Sequence, residues 1–323
     1  MPDNGLERCW YTFVPDTAAS TVPVVVHLHG AGGCASLPAV GWGTLAQENG
    51  FAVVWPQGTR HPLPFLPDFL PLFLLNLLDL NLNSWNDGSG LFGAEGAGID
   101  DVGFLEAMLS QITSTALPTD DSRSVNTDSA RIYLSGHSNG ATMAQRFALQ
   151  TEGLIAAVIA VSGAAMPNDP AWVPGGTAIS TYQPTPILLI AGTLDGVVPF
   201  NERRGPLAGA IPSFDGWGTI NGCTMDSRTE EAMGDGAYTE FNFADCSSGA
   251  QVTLIQVFDA GHHPFPAGEE PFRISSVNVI ASECVCLGEK MLYDVILTYI
   301  LSLSPPPPPV HFRLPISWTA HVQ

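Results

Sequence analysis

Basic residues are scarce in this chain. Its 11 lysines and arginines stand against 31 aspartates and glutamates, a formal net charge of −20 over 323 residues. Binding nucleic acid needs a basic footprint, so nucleic acid is disfavoured as a partner. Anionic membrane surfaces are disfavoured by the same repulsion, and a neutral or weakly charged substrate fits better. Metal-site spacing is lacking too. The six cysteines are Cys9, Cys34, Cys223, Cys246, Cys284 and Cys286, and the close pair Cys284-Val-Cys286 has no second pair to match it; no metal is expected. An even cysteine count with few lysines points instead to a secreted protein carrying disulfides. The run Met1 to Arg8 contains no apolar leader. A phosphate cradle is also absent. The glycine-rich loop His29-Gly-Ala-Gly-Gly33 is followed by no Lys-Ser/Thr and is not a spaced G-x-G-x-x-G.

One long apolar stretch is present, the Leu-rich run His61 to Leu80. Its four prolines, with Asp68, Asn76 and Asp79, argue against a membrane span. A surface insertion packing as a lid near the site is expected there. At the other end, Met291 to Leu303 reads as a helix stopped by Pro305 to Pro309, after which an extended, disordered tail is expected.

With 45% hydrophobic and 13% charged residues, the chain has ample material for a large core. Apolar β-prone runs alternate with helical patterns. The strands are Val22–Leu28, Phe51–Trp55, Arg131–Ser135, Ile155–Val161, Ile187–Ala191 and Val252–Phe258. Helices are expected over Trp42–Asn49, with Gly50 closing it, over Val102–Ile112 behind Asp100-Asp101, and over Ala141–Leu149. Continuous apolar strands separated by helices predict a mostly parallel sheet covered on both faces. The expected organisation is one α/β catalytic domain over 8–300, with an insertion at 60–82 and a Pro-rich tail at 304–323. A monomer is expected.

The chemistry centres on Gly136-His-Ser-Asn-Gly140. A G-x-S-x-G between a strand and a helix predicts a nucleophile elbow, a sharp turn that exposes the oxygen of Ser138 above the sheet. Such a serine needs a base to take its proton and an acid to orient that base, in the chain order Ser, acid, His. Asp195 follows the strand Ile187–Ala191 and is the best acid. His262 and His263 follow the strand Val252–Phe258. Both are open as the base; His262 is favoured because it directly follows Gly261, whereas His263 precedes a proline that biases its backbone. The oxyanion would be held by the amide of Asn139 and by one from the loop His29–Gly33, Ala31 first and Gly32 next. His29 and His137 read as structural. No organic cofactor is required. Trp85, Phe265 and His263 are candidates for contact with the substrate.

In order along the chain, His27-Leu-His-Gly-Ala-Gly-Gly33, Val53-Val-Trp-Pro-Gln-Gly58, Asn83-Ser-Trp-Asn86, Asp100-Asp-Val-Gly-Phe-Leu105, Ile132 to Gly140, Gly192 to Pro199 and Gly261-His-His-Pro-Phe-Pro266 resemble the secreted polyhydroxybutyrate-depolymerase/feruloyl-esterase type of carboxylesterase. The resemblance implies an α/β-hydrolase fold and a triad of Ser138, Asp195 and His262. It also implies that the segment from Trp217 to Phe258 carries a disulfide, for which Cys223 and Cys246 are the candidates, and it allows a Cys9–Cys34 bridge. Two departures stand out. Residues 60–82 separate runs that are nearly adjacent in the family, and residues 267–323 match poorly. The implied activity is hydrolysis of hydroxycinnamate esters on polysaccharide through an acyl-enzyme. A polyester such as polyhydroxyalkanoate is the alternative substrate, and a catalytically silent binding protein is the alternative of another class.

Overall fold

The computed structural model describes residues 6–35, 42–62, 81–119, 123–165, 167, 180–202, 208–236 and 238–262. The first half holds β1 (Trp10–Phe13), β2 (Thr21–Leu28), α1 (Trp42–Asn49), β3 (Ala52–Pro56), β4 (Thr59–Pro62), β5 (Asn81–Ser84), α2 (Gly93–Gly96), α3 (Asp101–Ser114), β6 (Leu117–Pro118) and β7 (Ser124–His137). The second half holds α4 (Asn139–Gln150), β8 (Ala157–Val161), β9 (Ile187–Gly192), α5 (Ala210–Ile220), β10 (Thr229–Met233), β11 (Tyr238–Phe243) and β12 (Val252–Val257).

A ten-stranded sheet runs β1-β3-β2-β7-β8-β9-β12-β11-β10, with β6 paired to β7. The pairs from β3 through β12 are parallel. Only the rims, β1 on β3 and β11 between β12 and β10, are antiparallel, apart from the short β6 on β7. The parallel strands are buried on both faces, and their side chains alternate between two cores. Val24, Val26, Leu134, Val158, Leu189 and Leu254 meet α3, α4 and α5 through Phe104, Met108, Phe147, Phe214 and Trp217. Val25, Val53, Tyr133, Ile159 and Ile190 meet α1 through Trp42 and Leu45. The expected mostly parallel α/β-hydrolase sheet, with helices on both faces, is what the chain builds.

Local signals explain the boundaries. Asp100 caps α3, its side chain accepting from the Gly103 amide at 2.9 Å, and Gly50 closes α1 with φ 72°. β7 starts earlier than the apolar run Arg131–Ser135 suggests. Val22 faces Thr127 while Val24 faces Ile132, so 128–131 bulge out of the ladder. Asp128 closes that bulge by accepting from the Ala130 amide and from Arg131 Nε.

The chain leaves the sheet after β3 on the antiparallel stem of β4 and β5, where Thr59 faces Ser84 and Pro62 faces Asn81. Most of the Leu/Pro-rich insertion, residues 63–80, lies outside the described residues. So do the expected helix Met291–Leu303, the Pro-rich tail, His263 and Phe265. Among the described residues, no helix is long and apolar enough to cross a membrane.

Candidate active site

The sheet order puts the carboxyl ends of β7, β8, β9 and β12 side by side, and this edge is where open α/β sheets place their sites. Ser138 sits between β7 and α4 with φ 52° and ψ −122°. That left-handed backbone is strained for a non-glycine residue and is held by its surroundings. The Ser138 amide donates to Val161 O at 2.9 Å, and Ser138 O accepts from the Thr142 amide at 3.0 Å. The motif glycines have a steric reason. A Cβ on Gly136 would overlap the backbone of Gly140 and Ala141, and one on Gly140 would overlap the carbonyl oxygens of Leu28 and His29. Small residues let α4 start directly against β2 and β7.

Asp195 follows β9 and is 6% exposed. Its Oδ1 accepts from the amides of Val197 and Val198, both at 2.8 Å. Its Oδ2 accepts from His262 Nδ1 at 2.8 Å. With Nδ1 donating there, Nε2 of His262 is the acceptor for Ser138 Oγ, 2.9 Å away. The structure therefore brings Ser138, His262 and Asp195 into one hydrogen-bonded row.

The glycine loop after β2 approaches the same point. The Gly32 amide donates to Asn83 O at 2.8 Å and the Gly33 amide to Gly30 O at 3.0 Å. Gly32, the second choice for an oxyanion donor, is thus engaged inside the protein. His29 shapes this loop. Its Nδ1 donates to Gly30 O at 2.8 Å, and Nε2 accepts from the Gly58 amide at 3.0 Å. Burial pushes the His29 imidazole down to about 4, against a smaller upward pull from its bond to Gly30. Burial, aided by the neighbouring His137 and His29, pushes His27 down to about 3.

Trp85 corrects one expectation. It is fully buried, at 0% exposure, so its ring offers no surface to a substrate. Its indole Nε1 donates to His29 O at 2.9 Å, which makes Trp85 a support beneath the glycine loop. Asn139 holds Trp85 in turn, Oδ1 accepting from the Trp85 amide at 2.7 Å and Nδ2 donating to Trp85 O at 3.1 Å. Asn139 Nδ2 also donates to Asp87 Oδ2 at 2.7 Å. Burial raises the Asp87 carboxyl to about 6, although Ser89 and Asn139 hydrogen bonds oppose it. Sequence reading missed Asp87 and the Val197 and Val198 amides. The Asn83-Ser-Trp-Asn86 run beside Asp87 was the only available signal. Cys223 and Cys246 form a disulfide, and Cys9 and Cys34 are each disulfide-bonded. Among the described residues, no cluster of His, Cys, Asp or Glu is arranged to hold a metal ion.

A parallel sheet of this order, an elbow serine, and a histidine and aspartate on later strand ends define an α/β-hydrolase fold with the layout of a serine hydrolase. Known proteins agree with that class. A family model described as Phospholipase/Carboxylesterase matches residues 107–205. Feruloyl esterase B of Piromyces equi is 26% identical over 260 residues, covering 77% of this chain and 40% of that protein. A bifunctional acetylxylan esterase/xylanase of Neocallimastix patriciarum is 23% identical over 267 residues, covering 82% of this chain and 32% of that protein. The chain therefore spans less than half the length of either relative. The structure of an acetyl xylan esterase from Aspergillus awamori superposes with a TM-score of 0.55 at 16% identity, covering 80% of this chain and 90% of that one; this likeness speaks for the fold. The chain is similar to carboxylic ester hydrolases, as its motifs imply.

Proposed function

We propose that this protein is a serine carboxylesterase that works through an acyl-enzyme. The observation that carries the reading is His262, which bridges Ser138 Oγ at 2.9 Å and Asp195 Oδ2 at 2.8 Å. Ser138 Oγ attacks the ester carbonyl while His262 Nε2 takes its proton. The amides of Asn139 and Ala31 hold the oxyanion; Ala31 is the choice because Gly32 and Gly33 donate elsewhere. Collapse of the tetrahedral intermediate breaks the ester C–O bond, and His262 returns the proton to the leaving alcohol. Water, deprotonated by His262, then attacks the acyl-enzyme and frees Ser138. Asp195 fixes the imidazole tautomer and stabilises the imidazolium.

The proposed substrates are feruloyl or acetyl esters on polysaccharide, in line with the names of the relatives. A short-chain polyester is the second reading. It is favoured by Leu194, Val197 and Phe258, which are 65%, 50% and 44% exposed on the loops bearing Asp195 and His262. An extracellular location fits the Cys223–Cys246 disulfide.

The test is a panel of para-nitrophenyl acetate, methyl ferulate, acetylated xylan and polyhydroxybutyrate film, run on the protein and on Ser138→Ala. Release of ferulate or acetate by the protein alone supports the first reading. Release of hydroxybutyrate alone favours the second. No turnover by folded protein on any ester, or equal turnover by Ser138→Ala, contradicts the proposal and favours a silent binding protein.

A further inference from the structure

We propose that His137, the residue before the nucleophile, is a positioning residue that holds the backbone of the base. The inference rests on reading Ser138, His262 and Asp195 as a triad. His262 stands five residues beyond the last residue of β12, Val257, on a loop that leaves the sheet. At the start of that loop Phe258 and Asp259 are exposed, and Asp259 adopts φ 56°.

Two ties come from the acid loop. The Asp259 amide donates to Thr193 Oγ1 at 2.9 Å, and the Leu194 amide donates to Ala260 O at 2.8 Å. Gly192 makes this approach possible, since a Cβ there would overlap the carbonyl oxygens of Ala260 and Gly261. Both ties act before the base is reached. At the base itself a further tie comes from the elbow. His137 Nε2 lies 3.2 Å from His262 O, and a carbonyl oxygen only accepts, so Nε2 carries the proton and donates.

His137 suits this task because it does not move with the loop. It is the last residue of β7, paired in register with Val161 of β8, and it is 2% exposed. Its ring lies 5.2 Å from the His262 ring, tilted by 54°. The two bonds made by the His262 ring are short and point in opposite directions, toward Ser138 and Asp195. A backbone shift of about 1 Å would lengthen at least one of them, and misplacement of that size can lower turnover about 100-fold. An apolar side chain would fill the volume of His137, but it would leave His262 O without this donor.

The experiment compares His137→Gln, whose amide nitrogen has the reach of Nε2, with His137→Leu and His137→Asn. The last is a folding safeguard, polar but too short to reach His262 O. Two readouts are used: kcat and KM on para-nitrophenyl acetate, and the low-field proton resonance of the His262–Asp195 hydrogen bond. Thermal melts confirm that each variant is folded. His137→Leu and His137→Asn should lose kcat by about 100-fold with KM within about twofold, and should lose or broaden the resonance. His137→Gln should keep the resonance and stay within about threefold of the parent kcat. A folded His137→Leu or His137→Asn with parent kcat and resonance overturns the proposal, as does a folded His137→Gln no better than either. The resonance needs no turnover. A parent protein inactive on every ester, with the resonance lost in His137→Asn and kept in His137→Gln, would refute the esterase reading while supporting the role of His137.

Discussion

Acidification should destabilise this protein through histidines that are buried neutral, and His27 allows the effect to be isolated. His27 lies on β2 and is 4% exposed. Its Nδ1 is 3.2 Å from Ser135 Oγ, and its ring packs 5.7 Å from Trp42. Burial holds its pKa at about 3, far below the ordinary 6.5. The unfolded chain therefore takes up this proton first, and stability falls as pH drops below about 6.5. At about pH 4.5 the difference amounts to about two pH units, or about 3 kcal/mol. His29, lowered to about 4, adds a similar loss. Asp87 works in the opposite direction. Its carboxyl is raised to about 6, so the stability that its protonation supplies is lost as pH rises, and acidification restores about 2 kcal/mol. The net loss from these three groups is about 3 to 4 kcal/mol between about pH 7.5 and about pH 4.5. His27→Asn keeps a polar group near Ser135 and removes the titration. Urea unfolding at the two pH values, with disulfides intact, gives both stabilities. The variant should lose about 3 kcal/mol less than the parent on acidification, whatever its stability at neutral pH. Equal losses in parent and variant would refute the argument.

The same pair of unfolding curves should show Asp87→Asn losing about 2 kcal/mol more than the parent on acidification, because the compensating proton uptake is gone; an unchanged loss contradicts the burial of an ionisable carboxyl. Gly140→Ala places a Cβ against Leu28 O and His29 O. It should cost about 3 kcal/mol, visible as a lowered melting temperature or lost soluble yield, and a parent-like melt would contradict the close approach of α4 to β2. Asp195→Asn removes the acceptor that fixes the His262 tautomer, and kcat on para-nitrophenyl acetate should fall about 1000-fold or more with little change in KM. Parent-like kcat in that variant would contradict the role assigned to Asp195.

The strands at the middle of the sheet were legible in the sequence for a physical reason. Parallel strands buried on both faces read as near-continuous apolar runs, unbroken in β8 and β9 and interrupted by single polar residues in β2 and β12. The rims carry a weaker signal. β10 is Thr-Glu-Glu-Ala-Met and largely exposed, and β11 alternates buried and half-buried residues. α5 was hidden by Pro212, Gly216 and Gly218, although Pro212 falls in the first turn, where a missing amide is harmless. The start of β7 was hidden by its bulge at 128–131. At the site, Ser138, Asp195 and His262 stand out because each sits at a recognisable strand end. The roles of Asp87 and His137 depend on contacts spanning 52 and 125 residues, and no local pattern encodes such distances. Trp85 shows the limit from the other side. An aromatic residue beside a conspicuous motif reads as a substrate contact or, more often, as core, and only its burial decides.

The central claim is that Ser138 is a nucleophile activated by His262 and Asp195. Its most direct test is covalent labelling of the folded protein with a fluorophosphonate, read by intact mass and peptide mapping. The account predicts one adduct per chain, located on Ser138, with none on Ser138→Ala and strongly slowed labelling of His262→Ala. An unlabelled folded protein, or an adduct that persists in Ser138→Ala, would contradict it.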